Sequence, residues 1–203
     1  MTKTTYGTTV TLITSSPHAE HLIEMAGRTC ANSTKDMIKS GEHGDEYSDP
    51  NWIQKRIKQG HESILEHGSA TFKIICSRAV THELVRHRIA SYSQRSQRYA
   101  REDGCVYFTP PELSDDPEYD KIMHMLCDYY IKKLEQGVKP ELARYVLPNA
   151  WRTEIMKTMN FRELRHFINL RTSPAALPEM QEVANQVKSI CVHSWPKVFG
   201  DIA

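Results

Sequence analysis

The longest regular stretch of this chain has apolar residues at helical spacing, and it constrains the fold more than any other feature. Residues three or four positions apart lie on one face of a helix, and here they are Tyr119, Ile122, Met123, Leu126, Tyr130 and Leu134. Ser114 before this stretch and Gly137 after it are residue types found at helix ends. We therefore predict a long helix between them that buries one face.

Other segments alternate between apolar and polar residues, as strands do. Ala70, Phe72, Ile74 and Cys76 show this pattern most clearly. In chain order, we predict a strand over 8–14, a helix from Ser16-Pro17, a helix from Asp49-Pro50 to Gly60, a strand over 70–76, a short helix from Pro140 to Pro148, a weak strand over 154–159, a helix over 161–171 and a last helix over 180–191. The pattern predicts an α+β fold with dominant helices and a small antiparallel or mixed sheet.

Length and charge limit the functional classes. A chain of 203 residues is typical of a single domain, which we expect over 1–203. The 26 basic residues nearly balance the 25 acidic ones, so the net charge of +1 does not indicate a nucleic-acid-binding arm. The sequence has no apolar run long enough for a membrane span, and residues 1–6 lack the apolar stretch typical of a signal peptide. We expect a cytoplasmic protein that binds neither membrane nor nucleic acid.

The five cysteines are odd in number and contain no C-x-x-C pair. Such a pattern is not that of a disulfide framework or a zinc knuckle. We expect reduced and mostly buried thiols.

One segment is rich in arginine. Six arginines lie between Arg78 and Arg101, and no lysine occurs from Ile74 through Asp120. A guanidinium group can bind phosphate or carboxylate through two parallel hydrogen bonds, whereas lysine offers a point charge. Hydroxyl and amide side chains separate these arginines over 86–99, which indicates a site for an anionic ligand rather than a solvated face. Of the later arginines, Arg152 and Arg165 are expected to be solvent-exposed, whereas Arg171 ends a helix and can point into a cleft.

The common metal and nucleotide motifs are absent from the sequence. The histidine pairs His61/His67 and His82/His87 are six and five residues apart, whereas a zinc-protease helix needs a separation of four. The chain contains neither G-x-G-x-x-G after a strand nor G-x-x-x-x-G-K-[ST]. We expect no metal site, and any nucleotide would be bound by side chains.

The sequence Arg86-His87-Arg88 followed seven residues later by Ser96 has the form R-H-R-x(7)-S. This signature resembles that of the flavin-dependent thymidylate synthases. Further blocks agree in order, namely G-H-E-S-I-L-E-H at 60–67, S-Q-R-Y at 96–99, A-R-Y-V-L-P-N at 143–149 and N-F-R-x(3)-H-F-I-N-L-R at 160–171. The resemblance implies a homotetramer with FAD between subunits. Its activity would make dTMP from dUMP, with methylenetetrahydrofolate as carbon donor and NADPH as reductant.

The resemblance also implies site residues. Those for the flavin are Ser63, Arg86, His87, Arg88, Ile89, Gln94, Asn160, Arg162 and His166, with His61 beside the flavin ring. Those for dUMP are Gln94, Arg95, Ser96, Gln97 and Arg98, with Arg144 and the turn Glu83, Leu84, Val85 and Arg86 supplied by neighbouring subunits. Arg171 is the one implied catalytic residue, holding the uracil edge and favouring the ring ionised at N3.

The chemistry expected of these residues needs no protein nucleophile. No cysteine lies in the Pro-Cys-His context of the flavin-free thymidylate synthases, and Ser96 is interpreted as a hydrogen-bond donor. In the resembled family, reduced flavin performs the difficult step and the protein binds and orients.

The chain departs from the resembled family in places. Glu83 stands where many members have Gln, and Arg95 replaces a commonly apolar residue, so the two side chains could compensate each other or Glu83 could turn toward Arg86 or Arg98. Residues 175–180 depart from a His-Ala-Gln-Trp-Glu type pattern.

Two alternatives remain open on the sequence. In the first, the chain is a nucleotide- or RNA-binding module in which arginines contact phosphates and Tyr92, Tyr99 and Tyr107 stack on bases. In the second, it is a flavin enzyme of the same fold with another substrate, or a member without activity. The low net charge favours a small anionic ligand over a long polyanion.

Overall fold

The computed structural model of the chain describes residues 2–5, 7–30, 51–102 and 104–202. Its strands are β1 (Thr2–Thr5), β2 (Thr9–Ser15), β3 (Ser69–Ser77), β4 (Ala90–Gln94), β5 (Val106–Thr109) and β6 (Arg152–Asn160). Its α-helices are α1 (Ala19–Cys30), α2 (Trp52–Lys58), α3 (Arg78–Leu84), α4 (Pro117–Glu135), α5 (Pro140–Ala143), α6 (Phe161–Arg171), α7 (Pro178–Ser194) and α8 (Pro196–Phe199). Short 3-10 helices lie at Glu62–His67, Pro111–Leu113, Arg144–Val146 and Gly200–Ile202.

Four strands form an antiparallel sheet in the order β2-β3-β6-β4. Its longest ladder joins β3 and β6, from Ser69 opposite Asn160 to Ser77 opposite Arg152. Side chains alternate between the two faces of a strand, so one face of β3 and β6 is buried and the other only half-buried. The predicted α+β class is confirmed, and of the two sheet forms that the sequence left open, antiparallel or mixed, this four-stranded sheet has the antiparallel one.

Helices α6 and α7 cover the buried face of the sheet. Phe72 and Ile74 from β3 pack with Phe167 of α6 and Val187 of α7 in one core cluster. The chain passes closely under this cluster at Gly68, where an added Cβ would lie 2.8 Å from Phe161. Strand β6 ends at Asn160, and α6 begins at the next residue. Asn160 caps the helix, because its side-chain oxygen accepts a hydrogen bond from the Glu163 backbone N–H at 2.9 Å.

A smaller core lies where β5 and α4 meet. It contains Tyr107, Met123 and Trp151, and Cys105 and Cys127 are joined there by a disulfide. The prediction that all cysteines are reduced is therefore wrong for these two. Sequence spacing carried no signal for this pair, because the fold alone brings the start of β5 against the middle of α4.

The boundaries of two predicted helices differ from the structure. The long helix is α4, and its cap is Asp116 rather than Ser114, since the Asp116 carboxylate accepts from the Glu118 backbone N–H at 2.9 Å. The first helix begins at Ala19 rather than at Ser16-Pro17. The Asp49-Pro50 helix start lies outside the described residues.

Strands β1, β4 and β5 and helix α3 were not predicted from the sequence. Strand β4 is polar and lies at the sheet edge, so its residues show no apolar alternation. Among the described helices, none has the length and apolar character needed to cross a membrane.

Candidate active site

His87 lies at the centre of a hydrogen-bonded chain of side chains. Its ring is buried, with 4% exposure, and follows α3 in the turn that leads to β4. Nε2 accepts a hydrogen bond from the Arg171 Nε–H at 3.1 Å, while Nδ1 lies 3.0 Å from a Glu163 carboxylate oxygen. Because the arginine nitrogen can only donate, the proton of a neutral ring lies on Nδ1 and is donated to Glu163. Burial lowers the pKa of His87 although the hydrogen bond to Glu163 raises it. The lowered pKa favours the neutral ring.

Arg171 is held by three groups at the C-terminal end of α6. Besides His87, it donates from Nη1 to the Glu83 carboxylate at 2.8 Å and, over a longer 3.4 Å, from Nη2 to the Glu83 carbonyl. The guanidinium is therefore fixed in one orientation. The suggestion that Glu83 turns toward Arg86 or Arg98 is wrong, because its carboxylate pairs with Arg171 instead.

The structure reveals two site residues that sequence reasoning missed, namely Glu163, which binds His87, and Lys157. Lys157 lies on β6 between Ile155 and Met159, faces the core and is fully buried. Its Nζ has no hydrogen-bond partner in the described part of the chain and sits 3.1 Å from the ring centroid of Phe167. Burial lowers the pKa of Lys157 to about 7. A lysine at an inward-facing position of an alternating strand is the sequence signal that could have identified it.

A cleft of about 640 Å³ lies beside this chain of side chains. Four of the predicted flavin residues line it: Ile89, Asn160, Arg162 and His166. Ile89 exposes 65% of its surface there. Arg162 pairs with Glu66 at 2.7 Å.

The other predicted flavin residues lie outside the lining of this cleft. Ser63, Arg86, Arg88 and His61 are exposed on the surface. His87 lies behind the cleft and contacts its wall through Glu163. The structure thus brings four of the ten predicted flavin residues to one place.

The predicted phosphate-binding segment runs from the end of β4 to Arg98. Gln94 donates from Nε2 to Thr81 at 3.1 Å, which fixes it inside the fold. Ser96 accepts a hydrogen bond from the Arg98 backbone N–H at 3.1 Å, and Arg98 pairs with Glu141 at 2.8 Å. Gln97 is buried, and its amide nitrogen has no partner within the described residues. An unpaired buried donor is unfavourable, and this nitrogen is available to donate to a ligand.

Arg78 is a second buried donor near this segment. Its Nη2 donates to the Arg95 carbonyl at 3.1 Å, and its Nε lacks a partner among the residues described. Burial lowers the pKa of Arg78 against the charge of Glu102, and the charge of Arg144 adds to the effect of burial.

Arg95 does not compensate Glu83 as the sequence suggested. Its Nε lies 3.4 Å from Glu102, and its Nη2 donates to the Arg101 carbonyl. The two turn residues between Glu83 and Arg86 differ in solvent exposure: Leu84 is buried in the core, whereas Val85 is exposed.

The prediction that Arg165 is solvent-exposed is wrong. It is 8% exposed and binds Asp201 at 2.6 Å. Arg152 is half-buried and lies 3.2 Å from Glu154.

Glu179 explains the local structure of the divergent segment 175–180. Its carboxylate is buried and accepts from the Ser77 backbone N–H at 2.7 Å and from the Ser77 hydroxyl at 2.6 Å. Burial raises the pKa of Glu179, against these hydrogen bonds. This residue fixes the start of α7 to the junction of β3 and α3.

His87, Glu163 and His166 could hold a metal ion by geometry, since one ligand atom of each lies within 4.8 Å of the others. The charges of Lys157 and Arg171 both act on His87. Two cations next to this group oppose the binding of a positively charged metal ion. The hydrogen bonds of His87 explain the arrangement without a metal.

The family of the chain is decided by sequence comparison. Residues 11–197 match the family described as thymidylate synthase complementing protein. The chain belongs to this family. The resemblance indicated by the R-H-R-x(7)-S signature is thereby confirmed.

Curated relatives of this family member are named flavin-dependent thymidylate synthase. That of Geobacter sulfurreducens is 37% identical over 200 residues, covering 95% of this chain and 85% of the relative. That of Mycobacteroides abscessus is 36% identical, covering 89% of this chain and 78% of the relative. That of Pyrococcus furiosus is 46% identical over 141 residues, which cover 65% of this chain and 58% of the relative.

Solved structures of other proteins have a similar fold. The chain is similar to the UMP/dUMP methylase PolB of Streptomyces cacaoi bound with 5-Br UMP, with a TM-score of 0.82 and 25% identity over 98% of this chain and 95% of that one. The same methylase bound with 5-Br dUMP gives a TM-score of 0.83.

Proposed function

We propose that this protein converts dUMP to dTMP by reductive methylation. The family assignment makes the chain an enzyme of the flavin-dependent thymidylate synthase type. In the proposal, methylenetetrahydrofolate gives the carbon, NADPH reduces the cofactor FAD, and residues 1–203 act as one domain within a homotetramer. The observation that carries the proposal is the rigid placement of Arg171 at the end of α6, inside the segment 160–171 that matches the family motif.

Arg171 would bind the uracil edge and stabilise the ring ionised at N3. A guanidinium stays protonated across the working pH range, so it can stabilise a developing anion without exchanging a proton. Glu83 and His87 occupy Nη1 and Nε at ordinary hydrogen-bond distances, whereas Nη2 makes only the 3.4 Å contact. We therefore assign Nη2 to the substrate. Negative charge at N3 raises electron density at C5, which makes that carbon the nucleophile.

The phosphate of the nucleotide would lie on the segment from Gln94 to Arg98. The unpaired amide nitrogen of Gln97 supports this placement, and so does the unpaired Nε of Arg78. Ser96, Arg95 and Arg98 would add hydroxyl and guanidinium donors, as the family motif implies. Phosphate contacts of this type are strong, because both partners are charged. Arg144 and the Glu83–Arg86 turn would complete the site from neighbouring subunits.

The cleft beside Glu163 fits a flavin in its chemistry. Ile89 offers an exposed apolar surface for a flat ring, while Asn160, Arg162 and His166 supply polar groups around it. The remaining flavin residues of the proposal come from the motif alone and are Ser63, Arg86, His87, Arg88, Gln94 and His61. When bound, the flavin supplies reducing equivalents for the methyl group. The chain itself binds, orients and excludes water.

The test of the proposal is turnover by Arg171→Ala. The variant should lose thymidylate formation by about 100-fold or more, as expected when a donor to a developing anion is removed. Its bound flavin and oligomeric state should match the wild type, measured by absorbance and by light scattering. Arg162→Ala is a control that should weaken flavin binding instead. Turnover by Arg171→Ala at the wild-type rate would remove the catalytic assignment.

UMP is a second candidate substrate. The structure of PolB with 5-Br UMP favours testing it, since that methylase is named for both nucleotides. Parallel assays with dUMP and UMP distinguish the two, and methylation of UMP alone would change the substrate but not the reaction class.

A further inference from the structure

Lys157 occupies a position where a charged residue is unfavourable. On β6 it lies opposite Phe72 of β3 and Tyr92 of β4 and is fully buried. A methionine of similar length would fill the same space without desolvating an amine. Stability therefore does not explain a lysine at this position. The charge of Lys157 acts on neighbouring groups instead.

The charged and titratable groups around Lys157 come from four elements. Strand β4 contributes Tyr92, whose hydroxyl donates to the His87 carbonyl at 2.9 Å and stays neutral, because burial raises its pKa to about 12. Helix α6 contributes Glu163, which favours the ammonium form, and Arg171, which opposes it, while α7 contributes Cys191. Burial raises the pKa of the Cys191 thiol to about 12, so this thiol is neutral and gives no counter-charge. The turn after α3 contributes His87, whose ring centroid lies 5.1 Å from that of Phe167, the same ring that Lys157 Nζ contacts. Burial lowers the pKa of His87, and the charge of Lys157 lowers it further.

The protonation state of His87 decides whether Arg171 keeps its contact. A neutral ring accepts the Arg171 Nε–H at Nε2, as observed. A doubly protonated ring would present a second N–H to that donor, and two like charges would then face each other. A proton on His87 would therefore release one of the groups that fix the guanidinium.

We propose that Lys157 is a positioning residue: its buried amine takes up the proton that would otherwise go to His87, and so preserves the hydrogen bond between His87 and Arg171. The structural part of this inference stands by itself, whereas its effect on catalysis rests on the proposed function. One proton from solvent is bound at Lys157 Nζ rather than at His87 Nε2, and no other bond changes.

The test compares three variants by NMR titration of the His87 ring, assigned with His87→Gln. In Lys157→Met, His87 should take up its second proton at a pH higher by roughly one unit than in the wild type. Lys73→Met removes a half-exposed lysine paired with Glu154 and should leave the titration of His87 unchanged. Lys157→Arg keeps a charge and should restore a neutral His87. Identical His87 titrations in the wild type and Lys157→Met would overturn the proposal.

A second measurement needs only the wild type. Its His87 ring should stay in the Nδ1–H form while the Lys157 Nζ resonance titrates, and protonation of His87 before Lys157 would overturn the proposal. Kinetics then separate the two levels of the account. The acid limb of kcat should begin at higher pH in Lys157→Met, with KM less affected. Wild-type protein that shows the expected titration but no thymidylate formation would refute the proposed function alone.

Discussion

The buried amine of Lys157 makes a quantitative prediction about stability. Burial lowers its pKa from 10.5 to about 7, so between these pH values the unfolded chain holds a proton that the folded chain does not. Stability must then rise with pH across this window. At about 1.4 kcal/mol per pH unit, the wild type should gain about 3 kcal/mol relative to Lys157→Met between pH 7 and pH 9. Below pH 7 the full penalty, roughly 5 kcal/mol, applies to the wild type only.

The assay is urea unfolding followed by circular dichroism at several pH values and one protein concentration. Lys157→Met should be the more stable protein at neutral pH, and the two curves should converge as pH rises. Lys73→Met serves as the matched control, because exposed ion pairs contribute little, and its curve should run parallel to the wild type. Parallel curves for the wild type and Lys157→Met would refute the reasoning.

Three further predictions concern the fold. Gly68→Ala should destabilise the protein by about 2 kcal/mol, because its methyl group would lie 2.8 Å and 2.9 Å from core side chains, whereas Gly104→Ala meets nothing within 4 Å and should be near neutral in urea unfolding. Arg165→Met should cost about 3 kcal/mol by the same assay, since it leaves a carboxylate without its partly buried partner; an unchanged midpoint would contradict this. Alkylation of the unfolded, unreduced protein should label three cysteines and spare Cys105 and Cys127, as read by mass spectrometry; labelling of all five would disprove the disulfide.

Elements with a strong apolar period could be predicted from the sequence. The alternation of Ala70, Phe72, Ile74 and Cys76 gave β3, and the spacing around Met123 gave α4. These patterns reflect burial of one face, which is a local property of the sequence. Arg171 was likewise predicted at a helix end, where the structure places it.

Features that depend on contacts between distant segments could not be predicted. Glu83 and Arg171 are 88 residues apart and meet only because the C-terminal ends of α3 and α6 come together in the fold. Lys157 interrupts an apolar alternation, and in the sequence this pattern indicates a weak strand and not a site residue. The motif resemblance gave residue types for the flavin site, but it gave no information on which of them share a cleft.

The most direct test of the central claim is release of the C5 hydrogen from labelled dUMP, with methylenetetrahydrofolate and NADPH present, with and without added FAD. The account predicts release that requires flavin and is matched by thymidylate formation. Absence of release from folded, flavin-bound wild-type protein would contradict it.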